Sequence, residues 1–167
     1  VDAKNIEKES MLASQMGFPT IIVDDGWQTD DSNRGYAFCG DWEPSENKFS
    51  DFPSHVKKVQ SMGIRYLMWF SVPFLGKNTR AWDKFHNKLL CYDEVQQAGV
   101  LDLRYPEVRE YLKDIYVKAV KEWRIDGLKL DFIDEFYLRP ESPAFSEGMD
   151  FADVQEALDV FLTEVIR

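Results

Sequence analysis

Three short stretches of the chain are mostly apolar, and a segment with helical spacing precedes each of them. They are residues 18–23, 64–70 and 128–132. Apolar runs of this length, rich in β-branched and aromatic residues, are typical of strands that are covered on both faces. Helix formers and apolar residues at three- and four-residue steps predict helices over about residues 4–16, 53–62, 106–119 and 151–165.

The third apolar stretch carries two charged residues on one face. Side chains alternate between the faces of a strand, so Lys129 and Asp131 point one way while Leu128 and Leu130 point the other. Asp131 lies at the carboxyl end of this strand. In parallel α/β sheets this is the end that carries chemistry.

The other two strands also end in polar or aromatic residues. Asp24, Asp25 and Gly26 follow the first strand, and Trp69 lies near the end of the second. Taken singly, these features are explained by a turn, a structural ion pair and a core residue. Their coincidence at one end of three successive strands favours a site for a sugar, which needs an aromatic face for its C–H surface and charged groups for its hydroxyls.

The segments between these elements are less regular. Residues 28–51 are polar and contain several aromatics, which predicts an ordered loop at the top of the sheet. Residues 76–97 give no clear element, residues 100–103 suggest a short extra strand, and residues 134–148 are predicted to form a loop.

Alternating strands and helices predict an α/β fold with a parallel sheet. The two candidate architectures are a doubly wound sheet and a TIM (β/α)₈ barrel. No strand is followed by a glycine-rich phosphate loop, which favours the barrel. A full barrel needs about 250 residues. Residues 1–167 are therefore predicted to form a single partial barrel, whose sheet edges are either covered by a second copy of the chain or exposed.

Composition narrows the class of ligand. The formal net charge of −10 and the lack of clustered basic residues argue against nucleic acid. Cys39 and Cys91 have no metal-ligand spacing, so we expect free thiols, no metal and no cofactor. No apolar run approaches the roughly 20 residues that span a bilayer, so we expect a soluble protein without membrane partners. The N-terminus does not resemble a signal peptide, and no compartment is indicated.

Several of these motifs occur together, in the same order, in one family. The sequence resembles the melibiase-like α-galactosidases of glycoside hydrolase family thirty-six, over roughly residues 18–132. The resemblance rests on Ile22-Val23-Asp24-Asp25-Gly26-Trp27, Gly40-Asp41-Trp42, Lys48-Phe49, Met62-Gly63 with Trp69 and Pro73, Val100-Leu101-Asp102-Leu103 with Pro106-Glu107-Val108, and Asp126-Gly127-Leu128-Lys129-Leu130-Asp131. In that family these segments form barrel strands two to four and their loops.

The resemblance implies roles for individual residues. It implies Asp131 as the nucleophile of a retaining mechanism on terminal α-galactosides, and Lys129 as a ligand of the sugar hydroxyls. Asp24 and Asp25 would bind the galactose 4- and 6-hydroxyls, and Trp69 would form part of the pocket wall. Weaker candidates for substrate binding are Trp27, Asp41 and Trp42. In the family the acid/base aspartate belongs to the sixth strand, which would follow Arg167, so we expect residues 1–167 alone to be inactive.

Two departures from the family pattern leave the exact glycan open. Gln96-Gln97-Ala98 stands where many members carry an arginine, and Phe132-Ile133-Asp134-Glu135 replaces a common Asn-Arg ending. The alternatives are a related α-glycan hydrolase or transglycosylase of other specificity, or a non-catalytic carbohydrate-binding half-barrel.

Overall fold

The computed structural model describes residues 1–33 and 35–167. The chain forms two compact units. The first unit comprises Val1–Ser32, Trp42–Phe70 and Tyr116–Asp131, and the second comprises Asn33–Asp41, Ser71–Ile115 and Phe132–Arg167.

Helices and strands alternate along most of the described chain. The α-helices are α1 (Ala3–Gln15), α2 (Phe52–Gln60), α3 (Arg80–Phe85), α4 (Pro106–Lys121) and α5 (Val154–Ile166). The strands are β1 (Thr20–Val23), β2 (Arg65–Ser71), β3 (Phe74–Gly76), β4 (Leu89–Asp93), β5 (Ala98–Leu101) and β6 (Gly127–Asp131), and a 3₁₀ helix covers Ile133–Glu135. The three predicted apolar strands are confirmed as β1, β2 and β6, and the four predicted helices as α1, α2, α4 and α5.

The sheet of the first unit has the order β1-β2-β6. β1 runs parallel to β2, with Ile22 opposite Leu67, and α2 forms the crossover between the two strands. On the other side of β2, the Asp126 amide donates to the Tyr66 carbonyl at 2.8 Å, where β6 begins. The expected parallel arrangement of strands and helices is therefore present in this unit.

Short polar residues determine where the helices of the first unit begin. Asp2 caps α1 by accepting from the Asn5 amide, and Asp51 caps α2 by accepting from the Ser54 amide. Both helices are followed by a glycine in the left-handed region, Gly17 with φ 82° and Gly63 with φ 80°. These caps confirm the helix ends that the sequence predicted.

The second unit contains a sheet that the sequence did not predict. Its strand order is β3-β5-β4, and both pairings are antiparallel. The extra strand expected at residues 100–103 is β5, which ends at Leu101, and the expectation of parallel strands alone is wrong for this sheet. A Cβ at Gly99 of β5 would lie 2.4 Å from the Leu89 side chain, which would have to move to make room for it.

Two ion pairs hold the loops of the second unit. Asp102 is fully buried and accepts from Arg104, whose guanidinium also donates to the Pro143 carbonyl at 2.8 Å. Arg109 of α4 donates to Asp150 and to the Leu103 carbonyl. The loop predicted at residues 134–148 is thus anchored, apart from its first residues, which belong to the 3₁₀ helix.

Candidate functional site

Charged residues from β1 and β6 meet in the first unit. The Lys129 ammonium donates to Asp24 Oδ2 at 2.9 Å and lies 3.2 Å from Asp131 Oδ2. The structure therefore brings together Asp24, Lys129 and Asp131, and it confirms that Lys129 and Asp131 share one face of their strand. Because β2 lies between β1 and β6, the Lys129–Asp24 ion pair crosses over the central strand of the sheet.

This cluster is accessible to solvent and carries a net negative charge. The side chains of Asp24, Lys129 and Asp131 are 60%, 34% and 35% exposed. Hydrogen bonding to Asp24, and also to Asp131, raises the pKa of Lys129 above its ordinary value. Lys129 is therefore a firmly protonated donor between two acceptors, and a polar ligand can reach all three groups.

Trp69 of β2 fixes the orientation of Asp131. The Trp69 indole N–H donates to Asp131 Oδ2 at 2.8 Å. The backbone carbonyl of Trp69 in turn accepts from the Trp27 indole at 2.9 Å. Trp69 itself is only 2% exposed. Its burial and its hydrogen bond support a role in holding Asp131 more directly than a role in stacking on a sugar.

Trp27 and Trp42 pack in the aromatic core beneath the charged cluster. Their ring centroids are 5.8 Å apart, and the Trp42 and Trp69 centroids are also 5.8 Å apart. Trp27 is fully buried and Trp42 is 3% exposed. In this structure both indoles support Trp69, and neither presents a face to solvent.

Asp25 lies beside the cluster and forms a turn. Its amide donates to Asp24 Oδ1 at 2.9 Å, and its carboxylate accepts from the Gln28 side chain at 2.8 Å. Gly26 adopts φ 96°, which the turn requires. Asp24 is thus oriented from both oxygens, by the Asp25 amide on one and by Lys129 on the other.

Asp41 belongs to the second unit and caps a helix there. Its carboxylate accepts from the backbone amides of Arg80 and Ala81, at 3.0 and 2.9 Å, where α3 begins. These amides have no partner within the helix, so a nearby carboxylate stabilises them. The expected sugar ligand is therefore engaged in helix capping in this structure.

Sequence reasoning missed the contact that Lys48 makes and the backbone conformation of the residue after Asp131. Lys48 donates to the Gly26 carbonyl at 2.7 Å and so anchors the loop after β1. Phe132, which follows Asp131, adopts φ 61°, an unfavourable value for a residue with a side chain. Nothing in the local sequence signals either feature, because each depends on residues that are brought together by the fold.

Neither a metal-binding group nor a membrane-spanning helix is found among the described residues. Residues 1–33 and 35–167 contain no group of three or more His, Cys, Asp and Glu side chains placed to hold a metal ion. Over the same residues, no helix combines the length and the apolar character that crossing a membrane requires.

Comparison with known proteins gives consistent matches. A family model described as Melibiase matches residues 2–150. The probable alpha-galactosidase C of Aspergillus flavus is 26% identical over 135 residues, which are 72% of this chain and 18% of that protein. Alpha-galactosidase C of Emericella nidulans is 23% identical over 143 residues, 76% of this chain and 19% of that protein. The chain spans about a fifth of the length of these curated relatives.

Solved structures share the fold at low sequence identity. The alpha-galactosidase AgaA of Geobacillus stearothermophilus, solved with 1-deoxygalactonojirimycin, gives a TM-score of 0.77 at 18% identity, covering 99% of this chain and 24% of that one. TtGalA of Thermus thermophilus, an alpha-galactosidase solved with p-nitrophenyl alpha-D-galactopyranoside, gives 0.72 at 18% identity, covering 99% and 32%. The parallel β1-β2 pair with its crossover helix is consistent with part of a TIM-barrel catalytic domain.

Proposed function

Since the chain belongs to the melibiase family, we propose that it forms part of the catalytic domain of a retaining α-galactosidase in which Asp131 is the nucleophile. One observation carries this proposal. Asp131 lies at the end of a strand and accepts hydrogen bonds from a buried indole N–H and from an ammonium group that Asp24 also binds.

The surroundings of Asp131 match the needs of a nucleophile. A retaining glycosidase forms a covalent bond between a carboxylate and the anomeric carbon, and water then breaks this bond in a second step. The attacking carboxylate must be ionised and must be held still. Lys129 favours the ionised form, Trp69 fixes the direction of the carboxylate, and the strand provides a more rigid support than a loop.

Asp24, Asp25 and Lys129 supply the groups that a galactose ring requires. Carboxylates accept from sugar hydroxyls, and an ammonium donates to them. Asp24 and Asp25 are exposed, so hydroxyl groups can reach both carboxylates. Trp69 acts as a positioning residue through Asp131. The substrate class is supported by the family match and by neighbours that were solved with raffinose and with stachyose.

We propose that the acid/base residue lies outside residues 1–167. A retaining mechanism needs a second carboxyl group about 5 Å from the first, which protonates the leaving oxygen and then activates water. In the family that the chain resembles, this aspartate follows the segment corresponding to Arg167. Turnover is therefore expected only from the protein that contains the complete barrel.

Replacing Asp131 by asparagine tests the nucleophile assignment. In the protein that contains this chain, Asp131→Asn should lower kcat on an aryl α-galactoside by about 10⁴-fold or more, because the covalent step loses its attacking group. The matched control is Asp114→Asn, which changes an exposed acid on α4 and should leave kcat unchanged.

A chemical rescue distinguishes a nucleophile from a structural ion pair. Asp131→Gly leaves space for azide, which should attack the anomeric carbon and release a β-galactosyl azide with an activated aryl α-galactoside. Retained turnover in Asp131→Asn, or the absence of any azide product from a folded Asp131→Gly protein, would contradict the assignment. Sugar binding without turnover in the complete protein would favour the non-catalytic carbohydrate-binding alternative.

A further inference from the structure

The second unit contains a cavity of about 440 Å³, a size within the roughly 300 to 1,000 Å³ of small-molecule sites. We call it the Phe132 cavity. Three aromatic residues line one part of it: Tyr36, Phe74 and Phe132. It shares no residue with the Asp24, Lys129 and Asp131 cluster.

The aromatic rings of the cavity pack against one another. Tyr36 and Phe74 are stacked with centroids 4.7 Å apart, and the Phe132 ring lies 5.1 Å from Phe74 and 5.4 Å from Tyr36. Phe74 is 7% exposed, whereas Tyr36 and Phe132 are only half-buried. The cavity therefore has a preassembled apolar surface of the kind that stacks on the C–H face of a ligand.

The charged residues of the cavity disfavour an anion. Among the described residues that line it are four carboxylates and one guanidinium, whose formal charges sum to −3: Asp93, Glu94, Glu135, Glu141 and Arg139. Arg139 is held by the Glu135 carboxylate and by the carbonyls of Glu135 and Tyr137, both at 3.2 Å. The guanidinium is thus a fixed donor in a mostly acidic lining.

The same contacts weaken the attraction for a cation. Glu135 is paired with Arg139, and Asp93 accepts from the amides of Val95 and Gln96 at 2.8 and 3.1 Å. Two of the four carboxylates are therefore engaged within the protein. A neutral polyol satisfies the remaining pattern, because its hydroxyls pair with carboxylates and with a guanidinium while its C–H surface packs on the rings.

We propose that the Phe132 cavity binds a neutral, hexose-containing glycan. This inference goes beyond the proposed function, since the cavity can hold sugar whether or not Asp131 reacts. Under this proposal, the loop before β5 and the segment after β6 both contribute to glycan binding.

Cys91 provides a reporter inside the cavity. It lines the cavity and is half-buried, and burial raises the pKa of its thiol. Cys39 is 1% exposed and lies outside the lining, so it serves as the internal reference. The rate of alkylation by iodoacetamide at mildly alkaline pH, followed by mass spectrometry, measures how accessible each thiol is.

Raffinose should protect Cys91 from alkylation. The probe is used with the Asp131→Asn protein, to avoid turnover. At about ten times its Kd, raffinose should slow alkylation about tenfold, because only the unbound form reacts. Choline and galacturonate, as cationic and anionic controls, should not protect. Protection by choline or galacturonate, or none by raffinose, would overturn the proposal.

Matched variants locate the effect. Tyr36→Ala should weaken protection by about threefold to tenfold through the loss of one ring, while Tyr105→Ala, in the same unit and outside the lining, should not. Glu141→Gln should also weaken the protection of Cys91, while Glu147→Gln, at an exposed position, should not. This second pair of variants keeps the test decisive if Tyr36→Ala fails to fold. Equal effects in variants and controls would overturn the proposal.

The outcome does not depend on the nucleophile assignment. If Asp131→Asn retains turnover and raffinose still protects Cys91, the proposed function fails and the cavity proposal stands. If turnover is lost and raffinose gives no protection, the cavity proposal fails alone.

Discussion

Asp131 is oriented by a tryptophan that lies 62 positions away in the sequence. Strand alternation was sufficient to predict that Lys129 and Asp131 share a face. The hydrogen bond from Trp69 could not be predicted, because it requires β6 to lie next to β2 in the sheet. Residue types and local spacing thus identify which groups carry charge, while the order of strands decides which of them meet.

Replacing Trp69 by phenylalanine tests its positioning role. Trp69→Phe removes the donor to Asp131 and should lower kcat on an aryl α-galactoside by about 10- to 100-fold, as expected for one hydrogen bond to a charged group. If Trp69 acts only through Asp131, KM should change little, because the indole is 2% exposed.

Trp42→Phe is the matched control for this substitution. It removes a similar volume from the same aromatic core while leaving the donor to Asp131 in place. If both variants lose kcat equally, the effect comes from core packing and the positioning role is wrong.

Elements with strong patterns were predicted, and weak ones were not. β2 has seven residues and α4 has sixteen, and both have clear apolar patterns. β3 has only three residues and was not predicted, and β5, which includes Gly99, was predicted only in its second half. The antiparallel sheet was missed because its stability depends on pairing between distant short segments. The capping role of Asp41 was missed for the same reason, since α3 follows it by 39 residues.

A polar contact joins α1 to α2 and makes the stability of the first unit depend on pH. Glu7 accepts from Lys58 and from His55 Nδ1, and His55 Nε2 lies 3.3 Å from the Tyr66 hydroxyl. The bond from Lys58, together with that from His55, holds the pKa of Glu7 below its ordinary value. The ionised form of Glu7 therefore stabilises the folded state.

Glu7→Gln should remove this pH-dependent stabilisation. A lowered folded-state pKa gives stability that is complete above the unfolded pKa, near 4.5, and is lost as the pH falls through the folded value. The variant should melt about 2–4 °C lower at neutral pH, if about 1 kcal/mol is lost, and should approach the parent as the pH falls through the lowered folded-state pKa of Glu7.

Glu9→Gln, an exposed position on the same helix, is the control and should melt like the parent at every pH. Thermal melts by circular dichroism across this pH range supply the measurement. A difference between Glu7→Gln and the parent that stays constant down to the lowest pH would show that the contact acts through packing instead of charge.

Within the described residues, the first sheet has an outer strand on each side that pairs with one neighbour only. Among the described strands, β1 and β6 each have β2 as their one neighbour in the first sheet. Ile22 of β1 is 52% exposed, which is unusual for an apolar residue in a strand. Exposed apolar edge strands pair with other chains unless a charge or a covering element prevents it. The expectation of a single partial barrel, whose edges are either covered by a second copy of the chain or exposed, stays a prediction.

Ile22→Lys tests association through the β1 edge. We expect residues 1–167 to form dimers or larger species in sedimentation velocity at micromolar concentrations, and Ile22→Lys to shift them towards monomer by placing charge on the edge. Val95→Lys, at a position that is 83% exposed and outside the strands, should leave the distribution unchanged. A monomeric parent chain would contradict the prediction.

Asp24 and Asp131 share Lys129, and this affects how strongly the site would bind a neutral sugar compared with the transition state. A hydroxyl that binds at either carboxylate replaces an attraction that the protein already makes with itself, so the gain on binding a neutral sugar is a small difference. In the proposed reaction, the positive charge that develops at the anomeric carbon is attracted by the Asp131 carboxylate and repelled by the Lys129 ammonium that is paired with it. Under the proposed function, the lysine would therefore keep the neutral substrate weakly held, and the attraction of Asp131 for the activated sugar would have to exceed the repulsion from the ammonium.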